Sequence, residues 1–182
     1  MDISAEERSQ LVALARAAVE CQASGKPAAK CEDLRGVLAE QRGCFVTLTN
    51  RGRLRGCIGT FRPTQPLGAM IVEMGVAAAR DPRFVNDPIT PGELGQLDVQ
   101  VSVLSPLVET KEPEKLEVGK HGVYISNGYR SGCFLPEVAT DQGWGPEEFL
   151  SYCCAHKAGL PPDAWRMIDT KVFLFTSEKF SE

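Results

Sequence analysis

Two hairpin signals in one chain demand antiparallel pairing. At Asn50-Arg51-Gly52, a turn whose glycine can take positive φ separates two β-rich runs, residues 44–49 and 54–61. Asn127-Gly128, the strongest kind of short hairpin signal, separates residues 123–126 from 129–135. Between the two hairpins Leu97, Val99, Val101 and Val103 alternate with Asp98, Gln100 and Ser102, the pattern of a strand with one buried face. A last strand is expected over 171–176.

Helical patterns are interleaved with these strands. Ser4 and Glu7 match a capping box. Leu11, Leu14, Ala15 and Ala18 follow at helical spacing, and Ser24-Gly25 with Pro27 stops the run. A short helix is expected around Leu34, Val37 and Leu38. Leu67, Met70, Ile71, Met74 and Ala78 carry a second stripe, in which Gly68 and Gly75 allow close approach of a neighbour. It ends at Arg80, because Asp81 precedes Pro82 and is biased away from the α region. Gly145-Pro146-Glu147-Glu148 opens a further helix with Phe149, Leu150, Cys153 and Cys154 inward, ended by Gly159 and Pro161-Pro162. No regular βαβ alternation occurs. The expected class is α+β, a mostly antiparallel sheet with flanking helices.

The 182 residues make one domain, which buries about 70% of its unfolded surface and needs no staple. No apolar run approaches the roughly 18 residues of a membrane span. The acidic start, residues 1–7, is unlike a secretory signal. Seven cysteines, an odd number without a signal, indicate reduced thiols and a cytoplasmic location. Cys153-Cys154-Ala155-His156 lacks a second ligand pair, so no metal site is expected, and no cofactor motif is present.

Net charge is −4, but no acid lies between Glu40 and Glu73, where Arg42, Arg51, Arg53, Arg55 and Arg62 stand. That local cationic field is either a solvated hairpin or an anion site. Inside it, strand periodicity puts Arg53, Arg55, Cys57 and Phe61 on one face and Leu54, Ile58 and Thr60 on the other. An arginine beside Cys57 would favour its thiolate. Gly56 and Gly59 mark a bulge or a close approach by ligand or backbone, the inert alternative being a packed cysteine. His121, between glycines, is the candidate base for a cysteine nucleophile or a plain structural histidine.

Residues 54–61, Leu-Arg-Gly-Cys-Ile-Gly-Thr-Phe, resemble the AMMECR family, named for the Alport syndrome, mental retardation, midface hypoplasia and elliptocytosis chromosomal region. The similarity continues through Asp81-Pro82-Arg83-Phe84, Val101-Ser102-Val103-Leu104, Val118-Gly119-Lys120-His121-Gly122, Leu135-Pro136-Glu137-Val138-Ala139, Trp144 and Lys157-Ala158-Gly159-Leu160. It implies a single domain over 1–182 with a larger and a smaller lobe around a cleft, the core motif beside it. Cys133 and His156 depart from the family pattern. Roles in nucleic-acid processes and association with Memo-like and radical SAM proteins are implied as partners, not membranes.

Two readings follow. In the first the chain binds an anionic small molecule or nucleic acid through Arg55, Gly56, Gly59 and Arg83, since arginine suits bidentate anion recognition. Only 7% aromatic residues and an acidic net charge weigh against general nucleic-acid binding. The alternative is a thiol-dependent enzyme or accessory subunit with Cys57 as nucleophile, Arg55 stabilising its thiolate and His121 moving protons.

Overall fold

The structure, a computed structural model, describes residues 3–27, 30–31 and 35–182. Its contacts divide into two compact units, Met1–Leu104 with Glu178–Glu182, and Ser105–Ser177.

In the first unit α1 (Ala5–Ala23) starts at the expected capping box. Ser4 N–H donates to Glu7 Oε2 at 2.9 Å and Glu7 N–H donates to Ser4 Oγ at 3.3 Å. The helix buries Leu11, Val12, Ala15, Ala18 and Val19. β1 (Cys44–Asn50) and β2 (Arg53–Thr60) form the first hairpin. Both turn residues are left-handed, Arg51 at φ 50° and Gly52 at φ 78°, which matches the right-handed twist of the strands. α2 (Leu67–Ala79) crosses α1 closely at Gly75, where a Cβ would lie 3.0 Å from Ala18 Cβ. β3 (Leu97–Leu104) pairs with β1, and the sheet order is β2-β1-β3-β8, with β8 spanning Ser177–Ser181. Cys44, Val46 and Leu48 of β1 and Val99, Val101 and Val103 of β3 join the helices in one core. Val37 and Leu38 are buried in a 3-10 turn, Gly36–Ala39; Leu34 lies outside the described residues.

In the second unit β4 (Val108–Thr110), β5 (Gly122–Ser126), β6 (Ser131–Phe134) and β7 (Lys171–Phe175) form an antiparallel sheet in the order β4-β7-β5-β6. α3 (Pro136–Gln142) and α4 (Pro146–Tyr152) follow the β5–β6 hairpin. α4 continues as a π-helical segment, Cys153–Ala158, that ends at left-handed Gly159. Phe149, Leu150, Cys153 and Cys154 are buried, as the helical stripe implied.

The expected α+β class holds. The expected last strand is two: the chain breaks pairing after Phe175, and β8 joins the other sheet. β4 and α3 were not anticipated, because three residues and one proline-led turn carry too little periodicity to read.

Candidate functional site

β2 is an edge strand, and its free backbone groups need partners. The segment 81–93 supplies them through side chains. Asp81 caps the 3-10 turn Pro82–Phe84, its Oδ1 accepting the Arg83 N–H at 3.0 Å. Its Oδ2 accepts the Cys57 N–H at 3.0 Å. Arg83 Nη2 donates to the Cys57 carbonyl at 3.2 Å and to Asp81 at 2.6 Å. A carboxylate and a guanidinium therefore stand in for the carbonyl and amide of a missing strand. The Asp81 side chain is 1% exposed and that of Arg83 57%. The Arg83 guanidinium, helped by the Cys57 and Arg83 N–H groups, holds the Asp81 carboxyl down to about 2 against the opposing effect of burial.

Arg55 is buried and committed to carboxylates. Nε donates to Glu93 Oε1 at 2.6 Å, Nη2 to Glu93 Oε2 at 3.0 Å and Nη1 to Asp87 Oδ2 at 2.9 Å. Nη2 also donates to the Asp87 carbonyl at 3.1 Å. The bond from Arg55, followed by one from the Asn50 amide, lowers the Glu93 pKa although burial opposes it. The Phe84 ring centroid lies 6.0 Å from the guanidinium carbon of Arg55 and 5.7 Å from that of Arg83. The Leu-Arg-Gly-Cys and Asp-Pro-Arg-Phe motifs are thus one physical unit.

The expected face-sharing of Arg53, Arg55 and Cys57 fails. Leu48 pairs with Gly56 but Thr49 pairs with Leu54, so Arg55 is an extra residue in a β-bulge. One extra residue inverts the alternation. Cys57 faces Thr47, while Arg53 pairs with Asn50, of opposite parity on β1. Arg55 shares Glu93 with Asn50 and Asp87 with Arg53, so it belongs to their side. The role expected of Arg55, stabilising the Cys57 thiolate, has no geometric support; its charge is taken by Glu93 and Asp87. Downstream of the bulge the expected alternation stands, with Ile58 on the core side. Cys57 Sγ is half-buried, 3.2 Å from Thr47 Oγ1.

Gly56 and Gly59 answer to packing. A Cβ on Gly56 would overlap the Ala78 carbonyl at the end of α2, and one on Gly59 would overlap the Phe45 ring and the Cys44 carbonyl. The close approach that sequence left open is by backbone and ring from within the fold. His121 lies in the second unit. Its Nδ1 accepts the Glu117 N–H at 3.0 Å, which leaves the proton of the neutral ring on Nε2. Among the described residues no group of three His, Cys, Asp or Glu side chains could hold a metal ion.

Sequence reasoning missed Thr47, Asp87 and Glu93. Their roles depend on partners 10, 32 and 38 positions away, and no local spacing encodes those contacts. The role of Asp81 had a signal, an aspartate before proline able to cap a turn.

The Arg55/Glu93/Asp87 side opens on a cavity of about 420 Å3 that Arg51 and Arg53 also line. Arg53 reaches Asp87 at 3.3 Å with its side chain 73% exposed.

The chain is similar to known proteins over nearly its whole length. The chain is 42% identical over 188 residues to a protein of Methanothermobacter thermautotrophicus, covering 99% of this chain and 96% of that one. It is 45% identical over 184 residues to a protein of Thermococcus kodakarensis, covering 94% and 88%. A solved structure of an uncharacterised Pyrococcus horikoshii protein superposes with a TM-score of 0.86 at 40% identity, covering 99% of this chain and 93% of that one. The AMMECR1 family profile matches residues 12–180, and the chain belongs to that family.

Proposed function

We propose that the chain binds a small anionic molecule, bearing a carboxylate or phosphate, at the arginine-lined cavity beside β2. The observation that carries this reading is the charge inventory of that cavity: Arg51, Arg53 and Arg55 against Asp87 and Glu93. Arg55 is immobilised by two carboxylates and serves as a positioning residue that orients Asp87 and the bulge. Arg53 is the contacting cation. Its bond to Asp87 is long and exposed, and such pairs contribute roughly 0–1 kcal/mol, so an incoming anion displaces it readily. A guanidinium so freed offers two parallel donors to a carboxylate or phosphate. Arg83, anchored by Asp81 with its guanidinium exposed, is a second cation on the same strand edge.

Calorimetric titration of the full chain with pyrophosphate tests this. Saturable binding that weakens at least about tenfold in Arg53→Gln supports it. No binding, or binding unchanged in both Arg53→Gln and Arg51→Gln, overturns it. A short single-stranded oligonucleotide that binds more tightly than pyrophosphate, with a steep salt slope, would assign the site to nucleic acid instead.

A second reading is thiol chemistry at Cys57, which rests on its position: its half-buried Sγ lies on the edge strand β2, 3.2 Å from Thr47 Oγ1.

A further inference from the structure

The turn between β1 and β2 holds a residue that its geometry disfavours. Asn50 pairs with Arg53, so Arg51 and Gly52 are the two central residues. Both positions require positive φ, and Asn-Gly, Asp-Gly or Gly-Gly is the preferred pair there. Gly52 conforms at φ 78°. Arg51 sits at φ 50° and, among the described residues, is the one non-glycine at positive φ. Asparagine or glycine would hold this conformation at lower cost. Local strain that the fold does not require points to a use for the side chain.

The cavity beside the turn supplies that use. Arg51, Arg53 and Arg55 line it with Asp87 and Glu93, and the charges divide unequally. Arg55 is buried and committed to both oxygens of Glu93 and one of Asp87. Arg53 has only its 3.3 Å, exposed bond to Asp87. Arg51 is exposed and, among the described residues, pairs with no carboxylate. When an anion takes Arg53 from Asp87, Asp87 keeps its 2.9 Å bond to Arg55. Two guanidinium groups, those of Arg51 and Arg53, are then available to the ligand.

Two guanidinium groups discriminate between anions. A carboxylate has two oxygens, and one bidentate guanidinium engages both. A phosphate monoester has three terminal oxygens and about two negative charges, so each arginine finds acceptors on it. We propose that the ligand of this cavity is a phosphate monoester and that Arg51 is the residue that selects it over a carboxylate. This rests on the anion-binding reading above and narrows its ligand class.

The test titrates the full 15N-labelled chain in about 0.15 M salt with phenyl phosphate and benzoate, which share a ring and differ in the acid group, and follows the amides of Gly52 and Arg53. Phenyl phosphate should bind at least about tenfold more tightly than benzoate. Arg51→Asn places a turn-favoured residue at the position and should melt no lower than the unmodified chain. It should weaken phenyl phosphate about tenfold and benzoate less than about twofold. A charge acting at a distance weakens a dianion by about the square of the factor for a monoanion, about fourfold here, so a tenfold loss requires contact. The inference is overturned if benzoate binds as tightly as phenyl phosphate, or if Arg51→Asn weakens both in that squared proportion, both alike or neither. It is also overturned if Arg51→Asn melts lower, since Arg51 then serves the fold. Each of these outcomes leaves the anion-binding reading standing. If neither probe binds, pyrophosphate decides: its binding overturns this inference alone, and its failure overturns both.

Discussion

Gly56→Ala adds one methyl group to the strand that carries the family motif. Gly56 pairs with Leu48 and lies against the last turn of α2. The new Cβ would overlap the Ala78 carbonyl oxygen and stand 3.0 Å from its carbonyl carbon and 3.6 Å from its Cα. These are backbone atoms of a 13-residue helix, so no rotamer change relieves the overlap. The helix end must retreat by about 1 Å to restore ordinary contact. Three residues on, Asp81 accepts the Cys57 N–H at 3.0 Å, and the retreat stretches that bond too. Overpacking costs about 1–3 kcal/mol, and weakening a charge-assisted hydrogen bond about 1 kcal/mol more. The expected total is about 3 kcal/mol, which in a chain of this size lowers Tm by about 6–12 °C.

Gly52→Ala is the internal control. Nothing lies within 4 Å of its Cβ, but its φ of +78° is left-handed, so strain alone costs about 1 kcal/mol and Tm falls by about 3 °C. The φ of Gly56 is not in that region, and contact alone accounts for its effect. Thermal and urea unfolding followed by circular dichroism measure both. A Gly56→Ala chain that melts within about 3 °C of the unmodified chain, or above Gly52→Ala, would refute the claim that α2 rests on β2.

Three further outcomes follow from the same geometry. The Asp81 pKa is depressed from the ordinary 3.8 to about 2, so its stabilisation of about 2 kcal/mol is present above pH 4 and lost as pH falls toward 2; Asp81→Asn should remove that acid-dependent loss from a urea-unfolding series, and an unchanged series would refute the pairing. Arg55→Gln leaves the Glu93 carboxylate, 15% exposed, without its cation and should cost about 3 kcal/mol, with the additional Glu93→Gln recovering part of it; strictly additive effects in denaturant unfolding would show that the pair is not coupled. Brief alkylation of the native chain near neutral pH should label Cys57 before Cys44, Cys133, Cys153 and Cys154, read by mass spectrometry on the tryptic peptide from Gly56 to Arg80, whose sole cysteine is Cys57. Labelling that waits for denaturation would make Cys57 a core residue, and Arg55→Gln should leave the native rate unchanged because Arg55 lies on the other side of the bulge.

Local physics made most of the elements legible. The capping box at Ser4 and Glu7, the alternation over 97–103, the two hairpin turns and the proline stop after Asp81 are short-range effects: a hydroxyl reaching an N–H three residues away, a side-chain period of two, a φ that only certain residues tolerate. The acid-free run of arginines was equally legible, since it is a matter of counting. So was the requirement for small residues at Gly56 and Gly59, though not what presses on them.

Tertiary structure decided everything that depends on partners far apart in sequence. A single extra residue at Arg55 inverted the strand alternation and turned that side chain from Cys57 toward Glu93 and Asp87. Strand periodicity cannot show a bulge, because the insertion exists only against the register of β1. Whether Arg55 greets a ligand or neutralises two carboxylates depends on residues 32 and 38 positions downstream, and Coulomb attraction acts through space rather than along the chain. The same holds for β8, whose residues carry no signal for which sheet they join: an edge strand pairs wherever the folded core leaves hydrogen-bonding groups unsatisfied, here beside β3.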